Sequence, residues 1–329
     1  MDVKPRIAIV GATGLVGSSL IELINEGRLA ASEVYLLASL NSAGERLEVL
    51  EKHRRVELLE QFDFEQVDVA FFAVPAEVAT AYASKAVEAG VRVLDASAAF
   101  AADTNVPLAV AGVNLDVVEE SGSMLVSVPT SAALAMAKVL KPLHDAAQLI
   151  SVNATVCEPA SYFGHEGVNA LAQQAVKLLS GQENNAEQKL AFNVQSQVGQ
   201  AEASGHTRFE LLTALETLRL LGLGHLDINV SSLQVPVFYG QTITLHLSTM
   251  QYLAVEAAEE ILNNAGIVLK HDGNATALTN AVGSNDIGVS RIRADMSAKN
   301  GLNLTLISDS LRAGVAINML QIAQNWVKS

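Results

Sequence analysis

Short unbroken apolar runs alternate with stretches of helical period through the first part of the chain. "RIAIVGA" from Arg6, "EVYLLAS" from Glu33, "VDVAFFAV" from Val67 and "VRVLDAS" from Val91 have the texture of strands buried on both faces. Between them, "LVGSSLIELINEG" and "EVATAYASKAVEAG" repeat apolar residues at helical spacing and stop at Gly27 and Gly90, which predicts helices with glycine ends. Such alternation predicts a parallel sheet covered on both sides. From about Gln148 the pattern changes. "QLISVNATVCE", "HLDINVSSLQVPVFYG" and "TITLHLSTMQYL" are long, rich in Thr, Ser and Val, and partly alternate, which predicts a largely antiparallel sheet. The helical segment "GVNALAQQAVKLLSG" interrupts them, "SGQENNAEQK" reads as a flexible loop, and a strand and an amphipathic helix end the chain.

The first strand and helix meet in "VGATGLVGSS", where Gly11, Gly14 and Gly17 have the spacing GxxGxxG. In a strand–turn–helix context the first glycine permits the tight turn, the second lets the backbone approach a pyrophosphate, and the third lets the helix pack on the strand. Pyrophosphate is expected on the helix N-terminus, at Gly11, Thr13, Gly14, Leu15, Val16 and Gly17. The bland alternative is a tight turn without a ligand. After the second strand, "LLASLNSAGERLE" carries neither the acid typical of NAD sites nor the arginine typical of NADP sites at the usual place. Asn41 and Ser42 are the expected polar contacts, with Arg46 within reach, and the dinucleotide type stays open.

Bulk properties narrow the class. A chain of 329 residues is expected to form two domains. Every apolar run breaks before the ~20 residues needed to cross a bilayer. The sequence enters its first strand without a signal peptide, and its single cysteine, Cys157, leaves no internal disulfide or cysteine metal cluster. The expectation is a cytoplasmic protein. A net charge of −14 argues against nucleic acid or an anionic membrane as partner.

A family resemblance then enters. "VGATGLVGSSL", "VYLLASLNSAGERL", "VLDASAAF", "VPLAVAGVN", "LQVPVFYG", "RIRADMSAKNGLNL" and "DSLRAGVAIN" stand in the order seen in aspartate-β-semialdehyde dehydrogenases. The chain resembles that family over nearly its whole length, and its Usg-type branch most. The resemblance implies an α/β Rossmann domain for NAD(P) at residues 1–128 plus 311–329. It also implies an α+β domain at residues 129–310 that carries catalysis and dimerisation. Family members reduce aspartyl phosphate to aspartate semialdehyde with NADPH, or run the reverse reaction.

The same resemblance implies that the chemistry is gone. The family's nucleophilic cysteine in Pro-Asn-Cys-Ser-Thr falls at Ser131, within "PTSAA". The Arg and His of its Arg-Val-Pro-Val-x-x-Gly-His fall at Gln234 and Gln241. A serine is a poor nucleophile without a base, and an amide cannot exchange a proton near neutral pH. The active-site glutamine matches Glu158, expected to repel an anionic substrate. A phosphate-binding arginine matches Ala101, and a cationic segment matches Phe209, Glu210, Leu211 and Leu212. On the cofactor side Ser-Ala-Gly-Gly matches Ala73, Val74, Pro75 and Ala76, the NADP arginine falls at Asn41, and an asparagine falls at Ser310.

Other candidates are read against simpler roles. Ser131 opens a helix and suits a cap, since only His206 offers a base by family geometry. Cys157, with His165 nearby in sequence, reads as a small core residue on the strand face opposite Glu158. The remaining histidines have no ligand spacing, so no metal is expected. Two functions stand: a homodimeric, non-catalytic paralogue, or an NAD(P)-dependent oxidoreductase acting on an aldehyde or oxo group with altered chemistry. In either, a small ligand is expected in the cleft between the domains, and weak or absent dinucleotide binding is compatible with the first.

Overall fold

Strand β1 (Arg6–Val10) divides its side chains between two cores. Ile7 and Ile9 join one, Ala8 and Val10 the other, and all four are fully buried. The computed structural model describes residues 4–182, 189–271 and 273–328. It divides into two units, Met1–Ser131 with Gly314–Ser329, and Ala132–Ala313.

In the first unit, α1 (Leu15–Asn25) leads to β2 (Glu33–Ala38), a hairpin of β3 (Arg46–Val49) and β4 (Lys52–Leu58), then β5 (Val69–Phe72), α2 (Ala76–Glu88) and β6 (Arg92–Asp95). Helix α3 (Asp116–Ser121) and β7 (Leu125–Ser127) follow, and the last helix, α9 (Ile317–Lys328), returns to this unit. The sheet order is β3-β4-β2-β1-β5-β6-β7. Every neighbouring pair is parallel except β3–β4. Helices α1 and α9 cover one face with Leu20, Leu23, Ile24, Met319, Leu320 and Trp326. Helix α2 covers the other with Ala79, Ala83 and Ala86. Phe71 and Phe72 of β5 point to opposite cores, as a strand's period of two requires. Asn318 of α9 fastens the helix to the sheet: its side chain accepts from the Ala111 N–H at 2.8 Å and donates to the Ala109 carbonyl at 3.1 Å. The β3–β4 hairpin has no apolar alternation to announce it, because it is a polar edge rich in Arg, Lys and Glu, which guards a sheet margin.

The second unit takes up α4 (Ser131–Ala147) from Ala132 onward, then β8 (Leu149–Glu158), α5 (Gly164–Leu179), α6 (Arg208–Leu221), β9 (Asp227–Gln234) and β10 (Gln241–Thr249). Helix α7 (Val255–Asn264), β11 (Val268–Lys270), α8 (Ala277–Asn280), β12 (Gly288–Ala294) and β13 (Gly301–Ser308) complete it. The sheet order is β11-β12-β13-β10-β8-β9. The expected antiparallel pairing holds for β8–β10, β10–β13 and β12–β13, whereas β8–β9 and β11–β12 are parallel. The chain between β8 and β9 carries α5 and α6, the crossover a parallel neighbour needs. The polar segment expected as a loop includes residues 183–188, which lie outside the described residues.

On β8 and β10 burial alternates. Val152, Ala154, Val156, Ile243, Leu245 and Leu247 are buried, while Asn153, Thr155, Cys157, Thr242, Thr244 and His246 are partly or fully exposed. The second set forms one open face in register, with Thr155 opposite Thr244 and Asn153 opposite His246.

Candidate functional site

Two sites follow from these elements, one in each unit. In the first, the carboxyl ends of β1, β2, β4 and β5 surround a groove of about 400 Å³ lined by Gly11, Thr13, Gly14, Ala38, Ser39, Leu59, Glu60, Ala73, Val74, Pro75, Val78 and Tyr82. Strand β1 sits where the order reverses, with β2 on one side and β5 on the other, which is where open α/β sheets bind ligands. Gly11 has φ +90°, and a Cβ there would stand 2.2 Å from the Ala73 carbonyl oxygen. Gly17 has ordinary backbone angles, yet a Cβ there would meet the Gly11 carbonyl oxygen at 2.2 Å. The loop therefore packs too closely for any side chain at either place.

Gly14 precedes α1 without a side-chain cap, and the first intrahelical bond runs from the Ser18 N–H to the Gly14 carbonyl at 2.8 Å. The N–H groups of Leu15, Val16 and Gly17 thus stand at the open helix end, free of intrahelical bonds and aligned with the positive end of its dipole. These are the N–H groups at which the glycine spacing places a pyrophosphate. Asn41 and Ser42 lie in the turn after β2, outside the groove lining, whereas Ser39, Leu59, Glu60 and Tyr82, missed in the sequence, line it. Nothing in "HRRVELLEQ" marks Leu59 and Glu60, because they reach the groove only through the pairing of β4 with β2.

The second site is a polar row across one end of the other sheet. Gln234 of β9 pairs with Glu158 of β8. The antiparallel register places Glu158 opposite Gln241 of β10, which in turn pairs with Ser308 of β13. All four are buried, none more than 4% exposed. Gln241 Nε2 donates to Glu158 Oε1, and Ser308 Oγ donates to Gln241 Oε1 at 3.5 Å. Glu158 Oε2, Ser161 Oγ and Thr213 Oγ1 are buried without a hydrogen-bond partner among the described residues. Burial pushes the Glu158 carboxyl up to about 8, against the bond from Gln241, which pulls the other way. Burial thus favours the neutral carboxyl, which weakens the repulsion of an anionic substrate expected from the sequence. The structure brings Glu158 together with Gln234 and Gln241, which lie far from it in sequence.

The other candidates have plainer roles. Ser131 begins α4. His206 is half-exposed and stands 3.9 Å from Glu210. Glu210 itself completes the capping box of α6 with Thr207 and accepts from the Ser232 N–H at 2.8 Å and Oγ at 2.9 Å, so it is a structural acid. Cys157 is half-buried on the open face, not in the core as expected; burial raises its thiol pKa, and Glu158 raises it further. That environment suppresses the thiolate. Among the described residues no group of three or more His, Cys, Asp or Glu could hold a metal, and no helix is long and apolar enough to cross a membrane.

Comparison with known proteins agrees with both units. The family model "Semialdehyde dehydrogenase, NAD binding domain" matches residues 6–121, and "Semialdehyde dehydrogenase, dimerisation domain" matches residues 140–313. The chain belongs to the semialdehyde dehydrogenase family. It is similar to aspartate-semialdehyde dehydrogenase 2 of Vibrio cholerae, 33% identical over 100% of this chain and 99% of the relative. It is equally similar to the USG-1 protein homolog of Pseudomonas aeruginosa, 34% identical over 98% of each. The crystal structure of aspartate semialdehyde dehydrogenase II from V. cholerae superposes with a TM-score of 0.96 at 33% identity, covering 99% of both chains. Semialdehyde dehydrogenase architecture, with its NAD-binding and dimerisation domains, is therefore established for this chain. Identity alone does not choose between relatives named as enzymes and relatives named as USG-1 homologues, so the site residues must decide.

Proposed function

We propose that this chain is a dimeric member of the semialdehyde dehydrogenase family that does not carry out the aspartate-semialdehyde reaction. The observation that carries the reading is the row Gln234–Glu158–Gln241. By the family resemblance these positions belong to a substrate-binding arginine, a glutamine and an acid–base histidine. Here an amide that cannot relay protons is bonded to a buried carboxyl, and no cation stands in the row. Ser131 at the nucleophile position agrees with this reading, since a serine needs an adjacent base. Purified protein is expected to give no phosphate-dependent reduction of NADP with aspartate semialdehyde, followed at the absorbance of the reduced nicotinamide. Turnover above the uncatalysed background sinks the reading.

The dimer is supported by the dimerisation-domain match and by the open face of β8 and β10, where Thr155, Thr244 and their neighbours stand uncovered in one chain. Light scattering is expected to give twice the chain mass. A mass of one chain at every concentration rules the dimer out.

The groove in the first unit favours a second reading, a protein that still binds a nicotinamide dinucleotide and uses it in altered chemistry. Backbone N–H groups at the start of α1 suit the pyrophosphate, and the apolar walls of Leu59, Val78 and Tyr82 suit an adenine ring. When bound, such a cofactor supplies hydride transfer; the residues of this chain hold and orient it.

A further inference from the structure

We propose that the dinucleotide this groove selects is NAD(H) and not its 2′-phosphorylated form, with Glu60 as the selecting residue; the inference rests on the dinucleotide-binding reading above. In a Rossmann unit the adenosine ribose lies beyond the end of the second strand. A carboxylate there accepts from its hydroxyls and repels a 2′-phosphate. Strand β2 offers no acid at that place: it ends at Ala38 and continues as Ser39 and Leu40.

The sheet supplies the acid from another strand. β4 runs parallel to β2, with Leu36 beside Val56, Leu37 beside Glu57 and Ala38 beside Leu58. The residues that leave β4 therefore arrive at the edge where β2 ends. They form a short 3-10 turn, Leu59–Gln61, which buries Leu59 and leaves Glu60 exposed. Glu60 lines the groove together with Ala38 and Ser39. One strand over from the usual position, it can receive the ribose hydroxyls while Ser39 supplies a second polar group.

Charge balance points the same way. Among the described residues, Glu60 is the only charged one lining the groove, and no Lys, Arg or His lines it. The basic groups nearest the groove stand outside its lining. Arg54 pairs with Glu33 at 3.1 Å, and Lys85 lies over the Tyr82 ring at 4.5 Å. Arg55 approaches Gly44 and stands across the hairpin from Arg46. A 2′-phosphate entering beside Glu60 meets a carboxylate and no cation in the groove lining, which disfavours it.

The test is calorimetric titration of the full-length protein with NAD, NADH, NADP and NADPH, repeated on Glu60→Gln and Glu60→Lys. The wild type is expected to bind NADH at least about tenfold more tightly than NADPH. Glu60→Gln should shrink that ratio, and Glu60→Lys should abolish or reverse it, with NADH binding weakened by less than NADPH binding is gained. Because Glu60 is exposed on a turn, both variants should melt like the wild type, which separates a charge effect from misfolding. NADPH binding as tight as NADH in the wild type, or a ratio unmoved by either variant, overturns the role of Glu60 while leaving the dinucleotide site standing. No binding of any of the four overturns the dinucleotide reading itself, and this inference with it.

Discussion

Glu158→Gln should leave stability near pH 5 almost unchanged and raise it markedly at pH 9. Burial lifts the folded-state carboxyl from its ordinary 4.5 to about 8. Between those values the folded chain keeps a proton that the unfolded chain has released. Wild-type stability therefore falls as pH rises through this window, and the loss is complete above about pH 8. The size of the effect is on the order of 5 kcal/mol, since each unit of displacement corresponds to about 1.4 kcal/mol. A glutamine keeps an oxygen for Gln241 Nε2 and carries no charge to bury. Asp95, raised to about 6 by burial against its bonds from Ser97, makes a separate loss at lower pH that the variant retains. Urea unfolding of both proteins from pH 5 to pH 9 measures this. Parallel curves for variant and wild type would show that Glu158 is not the titrating group.

The second large effect is expected from Gly17→Ala. No positive φ is involved, so the substitution tests close packing alone. The new methyl would stand 2.2 Å from the Gly11 carbonyl oxygen and 2.8 Å from Ala12 Cα, both backbone atoms that cannot swing away. The turn must open or α1 must shift, at a cost of roughly 3 kcal/mol, the upper part of the usual range for overpacking. Any dinucleotide affinity should drop by at least about tenfold, because the N–H groups at the helix mouth move with the loop. A melting temperature and NADH titration equal to wild type would refute the packing account. Loss of stability with affinity intact would refute only its link to binding.

The elements that could be read from the sequence are those whose local pattern and final environment agree. Strand β1 is apolar because both its faces are buried, and the Gly11–Gly17 spacing is legible because its cause lies within a few residues. The polar row was legible residue by residue, through the family motifs that place Glu158, Gln234 and Gln241. Its arrangement was not, because only strand register sets these residues side by side. The burial of Glu158 was hidden for the same reason: a sequence shows an acid, and its surroundings set how readily it ionises. Glu60 was invisible because it matters only once β4 lies beside β2. Cys157 was expected in the core because alternation shows which face a residue takes, not what covers that face.

One consequence follows from the first unit being assembled from both ends of the chain. Met319, Leu320, Ile322 and Trp326 of α9 fill the core beneath β1 and α1, and Asn318 satisfies backbone groups of the segment before α3. During synthesis the first unit must wait, with the part of its core that α9 fills still open, while all of Ala132–Ala313 is translated. The central unit has the first opportunity to fold, and the older half closes last.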